Sequence, residues 1–218
     1  TEPDGSHYEA TPGYHLLSLE WILLPMILLR RNAVEPPEPI MSRLRLMVDV
    51  AAATCLPDGT TPPFGDSDRR TFGRDVDDRA YSLGLAAELF GLREYAAWMK
   101  PSFDLLWLTG SVRAPGPDRD SAPVPRPPRS FPSGGLFVLG EFDEALHVLV
   151  RNGPLRHGHP HADLLSFVLY SAGELWLTDT GKYTYNEGPE REYLKGTSAH
   201  NTVAVDWDGD GSSDESFA

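Results

Sequence analysis

The sequence predicts a two-part α+β chain, with a helical first half, a proline-dense crossing and an antiparallel strand half. Three observations predict it. Apolar residues recur at helical spacing from Pro12 to about Trp107. The stretch RAPGPDRDSAPVPRPPRSFP, from Arg113 to Pro132, is rich in proline and has no sustained apolar period. Beyond it, short runs rich in Val, Leu, Phe and Thr are divided by Gly, Asn, Asp and Ser, with no helix-length pattern between them. The divisions fall at residues 1–112 (helical unit), 113–132 (linker) and 133–218 (strand unit).

Taken in order, Pro12 to Arg31 reads as a buried helix with a kink or stop at Pro25. Its densest part, LLSLEWILLPMILL, is interrupted by Glu20 and Pro25, so no window approaches 18 continuous apolar residues and no membrane span is predicted. Pro39 to Cys55 gives a second helix, with Ile40, Leu44, Met47 and Val48 near helical spacing. Asp77 to Phe90 gives a third, opened by aspartates that suit a helix N-terminus. Glu94 to Trp107 reads as one or two short helices around Pro101, with Trp98 and Trp107 in the core. The strand candidates are GGLFVLG, ALHVLVRN, LLSFVLYS, ELWLTDTG and HNTVAVD, with SAG as a tight hairpin before Glu174.

Composition excludes several functions. A net charge of −13 disfavours non-specific nucleic-acid binding, which needs a basic face. Cys55 is the single cysteine, so an internal disulfide and a cysteine-based zinc site are excluded; it reads as an inert buried thiol. No signal or targeting segment is visible. The opening TEPDGSHYEATPGYH reads as the middle of a domain and DGDGSSDESFA ends without a structural stop, so the chain is expected to be a fragment.

Chemistry gathers in HGHPHADLLSF, residues 157–167. In an extended segment His159 and His161 point to the same side and can serve one ion or one substrate. Asp179 closes the apolar run ELWLTD, where a buried acid needs a partner, a cap or a metal. His200 is read at the start of the next strand. Two imidazoles, a carboxylate and water make a tetrahedral zinc site. The plainer readings are a polar loop, a turn aspartate and a loop histidine. Metallohydrolases with H-x-H-x-D-H share His159, His161 and Asp163, but Leu164 stands at the last position and the αβ alternation of that fold is missing. A barrel that opens on H-x-H needs eight βα units, which are also missing.

Four motifs in matching order then point to one family. HGHPHADLLSFVLYSAGELWLTDTGKYTYN and REYLKGTSAHNTVAVD closely resemble the signature region of the heparinase II/III-like polysaccharide lyases. DGSHYEATPGYHLLSLE resembles that family's D-G-x-H-x-E-x-S-P-x-Y-H segment, and PPFGDSDRR its G-D-S-D segment. The resemblance implies a partial (α/α) toroid followed by an antiparallel β-sandwich. It implies cleavage of a uronic-acid-containing polysaccharide by β-elimination, in which the C5 proton leaves and the C4–O bond breaks. The site then wants donors at the carboxylate and an acid–base pair near C5 and O4. By motif position Tyr14 and His159 are the catalytic pair, and their division of roles is open. His161, Asp179 and His200 correspond to ligands of a structural zinc ion. Arg156, Tyr185, Arg191 and Lys195 are candidate substrate contacts, with surface charge or a structural tyrosine as the plain alternatives. His157 is auxiliary.

The resemblance also implies that the residue neutralising the substrate carboxylate lies in helices absent here, so the fragment is expected to be inactive. Partners are acidic polysaccharides or oligosaccharides, with a periplasmic or secreted setting. The negative charge does not favour a highly sulfated glycan such as heparin, and alginate-like or other oligouronides fit at least as well. The competing functions are a non-catalytic carbohydrate-binding or structural sandwich that keeps the metal cluster, and a metallohydrolase.

Overall fold

The computed structural model describes residues 1–67, 79–92, 106–108, 110, 130–140, 146–153 and 159–204. Three helices lead: α1 (Pro12–Arg31), α2 (Glu38–Thr54) and α3 (Arg79–Phe90). Leu16, Leu19, Leu23, Met26 and Ile27 line one side of α1 and pack against Met41, Leu44, Met47, Val48 and Ala51 of α2 and Leu83, Leu85, Ala86 and Leu89 of α3. Pro25 does not stop α1. It sits on the exposed face one turn after exposed Trp21, so the carbonyl that loses its helical partner is on the solvent side.

By length and composition α1 is apolar enough to cross a membrane, with mean hydropathy 1.3, which the interrupted apolar run had not predicted. Half of that window is buried inside the fold. Trp107, expected in the core, is 75% exposed on a helical stretch at 106–108. Trp98 and Asp77 lie outside the described residues.

Five strands follow: β1 (Ser130–Phe131), β2 (Leu136–Gly140), β3 (Leu146–Arg151), β4 (Ser166–Ser171) and β5 (Glu174–Leu177). They form one antiparallel sheet in chain order. β1 falls inside the stretch read as linker. The β4–β5 turn is the expected hairpin: Ser171 pairs with Glu174, and Ala172 and Gly173 take φ of 52° and 84°, the mirror-image turn that matches strand twist. A short helix, α4 (Pro189–Lys195), and a 3-10 turn (Thr197–Ala199) complete the described fold. Up to Ala204, HNTVAVD forms no strand; its remaining residues are outside the described set.

The helices and the sheet share one apolar junction. Val50 and Ala53 of α2, with Leu56 and Phe64 from the loop after it, pack on Phe131, Leu136, Val138, Leu149, Val168 and Tyr170. The other face of the sheet is apolar too. Across it run Phe137, Val150 and Phe167 in one row and Leu139, Val148, Leu169 and Leu177 in the next. These side chains are only partly covered, and Leu139 is 56% exposed.

Candidate active site

The site is assembled where the loop at residues 60–67 passes between α1 and the segment after β3. Pro12 opens α1, where its missing N–H is no loss, and Ser67 Oγ accepts from the Gly13 N–H at 2.8 Å. This capping bond pins the loop to the first turn of α1, which carries Tyr14. Gly65 has φ +61°, and a Cβ there would stand 2.6 Å from the His159 carbonyl oxygen. That carbonyl accepts the Asp66 N–H at 2.8 Å. A Cβ at Gly181, after Asp179, would stand 2.9 Å from Pro63 Cβ of the same loop.

Two groups of side chains result. In the first, the rings of Tyr14 and His159 stack with centroids 4.2 Å apart and planes 16° apart. Tyr14 Oη and Tyr185 Oη are 2.6 Å apart, and the Tyr185 ring meets His159 edge-on at 5.9 Å. Lys182 Nζ lies 3.9 Å from the Tyr185 ring centre. Glu9 Oε1 is 3.9 Å from His159 Nε2. The cluster thus holds an imidazole and two phenols in contact, partly open to solvent, with a cation and a carboxylate beside them.

The second group is buried. His200 Nδ1 lies 2.8 Å from Asp179 Oδ2, and Asp179 Oδ1 accepts the Gly181 N–H at 3.0 Å. The His161 and His200 rings are 5.4 Å apart. His161 Nδ1 and His200 Nε2 are buried and carry no hydrogen bond among the described residues. Asp163 is buried nearby, 3.8 Å from Arg151 Nε, and burial pushes its carboxyl pKa up against the pull of that guanidinium. Two imidazoles with one open nitrogen each, and carboxylates alongside, suit zinc in donor type. Among the described residues, however, no three His, Cys, Asp or Glu side chains stand at metal-holding spacing, and Asp179 is engaged by His200 and Gly181.

The residue that joins the two groups is Asp66. Its carboxylate is 2.9 Å from His161 Nε2 and 3.3 Å from His159 Nδ1. Both guanidinium Nη atoms of Arg191 donate to it, Nη2 at 2.6 Å. Burial alone would raise the Asp66 pKa, but the contacts with His161 and Arg191 outweigh it and hold the carboxyl well below the usual range. The sequence signal for Asp66 is its place in PPFGDSDRR.

Tyr14, His159, Tyr185 and Arg191 are therefore brought together, with His161, Asp179 and His200 adjacent. Arg191, a candidate substrate contact, pairs with Asp66. Lys195 joins through its backbone, its carbonyl accepting the Ala162 N–H at 2.8 Å, while its side chain is exposed. Arg156 and His157 lie outside the described residues. His159 and His161 are not in a strand, so their convergence does not come from alternation: both turn onto Asp66 from a loop. His200 follows the 3-10 turn and does not begin a strand.

The family model Heparinase II/III N-terminus matches residues 2–90, and Heparinase II/III-like, C-terminal matches residues 123–217. No curated protein matches the chain. Among solved structures, a heparinase III gene product superposes with TM-score 0.68 at 22% identity, covering 94% of this chain and 31% of that one. Heparan sulfate lyase HepC from Pedobacter heparinus gives TM-score 0.68 at 21% identity, covering 94% and 31%. The chain thus spans about a third of the length of these structures and shares their fold over that third.

Proposed function

The chain belongs to the heparinase II/III-like family, and from that premise we propose that it supplies the acid–base centre of a lyase acting on uronic-acid-containing polysaccharides. The observation that carries the reading is the stacked Tyr14–His159 pair with Tyr185 Oη at 2.6 Å from Tyr14 Oη. β-Elimination takes a proton from C5 and returns one to O4. His159, the imidazole of the stacked pair, takes the C5 proton. Tyr14 protonates the departing O4, Tyr185 resupplies its proton through the bond between the two hydroxyls, and solvent then returns a proton to exposed Tyr185 and takes the C5 proton from His159.

Neutralising the substrate carboxylate needs a further donor, since Arg191 is engaged by Asp66. His161 and His200 would hold zinc through their open nitrogens, and Asp179 would be the third ligand. Such an ion ties together the segments that present His159, a structural role. The finer architecture, a partial toroid with a β-sandwich, belongs to the same proposal, and the partly covered apolar sheet face supports it.

The test is a screen of alginate-like, heparan-type and other uronate polymers with the full gene product, reading the near-ultraviolet absorbance of the new C=C bond. Tyr14→Phe and His159→Ala should each abolish the signal and leave glycan binding intact. Binding with no absorbance from any polymer establishes the non-catalytic reading; new reducing ends without absorbance establish a hydrolase.

A further inference from the structure

Asp66 lies outside the acid–base pair and outside the zinc-binding set, yet it touches both. An ionised carboxylate has no proton to give, so every group bonded to it must donate. Arg191 does so in any state. His161 and His159 do so, when neutral, in one tautomer each.

From this we infer that Asp66 is a positioning residue that sets the tautomers of both histidines, making Nε2 of His159 the basic nitrogen and Nδ1 of His161 the metal-facing one. The assignment rests on the reading of His159 as the base, and its geometry stands apart from that reading. His159 Nδ1–H donates to Oδ2 and His161 Nε2–H donates to Oδ1. The free Nδ1 of His161 is the buried atom that carries no hydrogen bond among the described residues. The same logic extends to His200, whose Nδ1–H donates to Asp179 and whose Nε2 is the open atom. Arg191 clamps the carboxylate from a second side, which fixes the direction in which it accepts. The carboxylate comes from the helical half and both histidines from the strand half, so closing the two halves also decides which nitrogen is basic.

The experiment is long-range ¹⁵N–¹H correlation NMR of the labelled 218-residue chain at mildly alkaline pH, with and without zinc, the signals assigned by their loss in His159→Ala and His161→Ala. The expected result is protonated Nδ1 for His159 and protonated Nε2 for His161. His159 protonated at Nε2 in the wild-type chain overturns the inference, whatever any variant does. Asp66→Asn should shift both rings toward mixed tautomers, and unchanged tautomers in a folded Asp66→Asn chain also overturn it. In the full gene product the same variant should lower kcat about 10- to 100-fold with little change in KM. Absence of elimination by the wild type counts against the proposed lyase and leaves the tautomer result to decide Asp66.

Discussion

Gly65→Ala isolates the contact that seats His159. Gly65 and Gly91 have nearly the same left-handed backbone, φ +61° and +68°. Among the described residues a Cβ at Gly91 meets nothing within 4 Å, whereas one at Gly65 meets the His159 carbonyl oxygen at 2.6 Å. Placing alanine in this region costs about 1 kcal/mol in either case, and the smaller unfolded-state entropy of alanine offsets both alike. Gly91→Ala should therefore lose about 1 kcal/mol or less. At Gly65 the carbonyl must also move, and it accepts the Asp66 N–H at 2.8 Å. Losing that bond adds about 1–1.5 kcal/mol, so Gly65→Ala should lose about 2–2.5 kcal/mol. Urea unfolding followed by circular dichroism measures both, and the difference between the variants cancels what they share. Equal losses would refute the claim that close approach of this loop holds His159 in place.

Three further outcomes follow. Burial pushes the His15 pKa from 6.5 down to about 4, with its Nε2 2.8 Å from the Met47 carbonyl. The unfolded chain binds a proton there that the fold refuses, so stability is full above pH 6.5 and falls by up to about 3 kcal/mol as pH drops to 4. Urea titrations across that window should show the loss, and His15→Gln should flatten it. Zinc at about 100 times its Kd should raise stability by about 2.7 kcal/mol. A chelator should reverse that gain, and His161→Ala and His200→Ala should each remove it. Phe64→Ala, emptying a fully buried position in the helix–sheet junction, should cost about 3–5 kcal/mol and keep a single transition by far- and near-ultraviolet dichroism.

The elements were legible where periodicity is local. Both α1 and α2, four of the five predicted strands and the SAG hairpin stand within a few residues of where the pattern put them. Trp107 misled because an aromatic at helical spacing is ordinarily core, while here its helical stretch turns it outward. The histidine cluster was legible as a cluster, but its arrangement was not. Asp66 lies 95 positions from His161, and no spacing rule connects a loop after one helix to a loop before one strand. For the same reason Arg191 read as a free cation. Only the fold shows that its charge is already answered.

The apolar second face of the sheet bears on how this chain is handled. Rows of partly covered Phe, Val and Leu offer a fluorescent hydrophobic probe a place to bind before anything unfolds. Dye-based melting curves should therefore begin bright and report desorption as much as unfolding. Label-free optical signals are the sounder choice for every stability measurement described above, and a low initial dye signal would itself reveal that this face had found a cover.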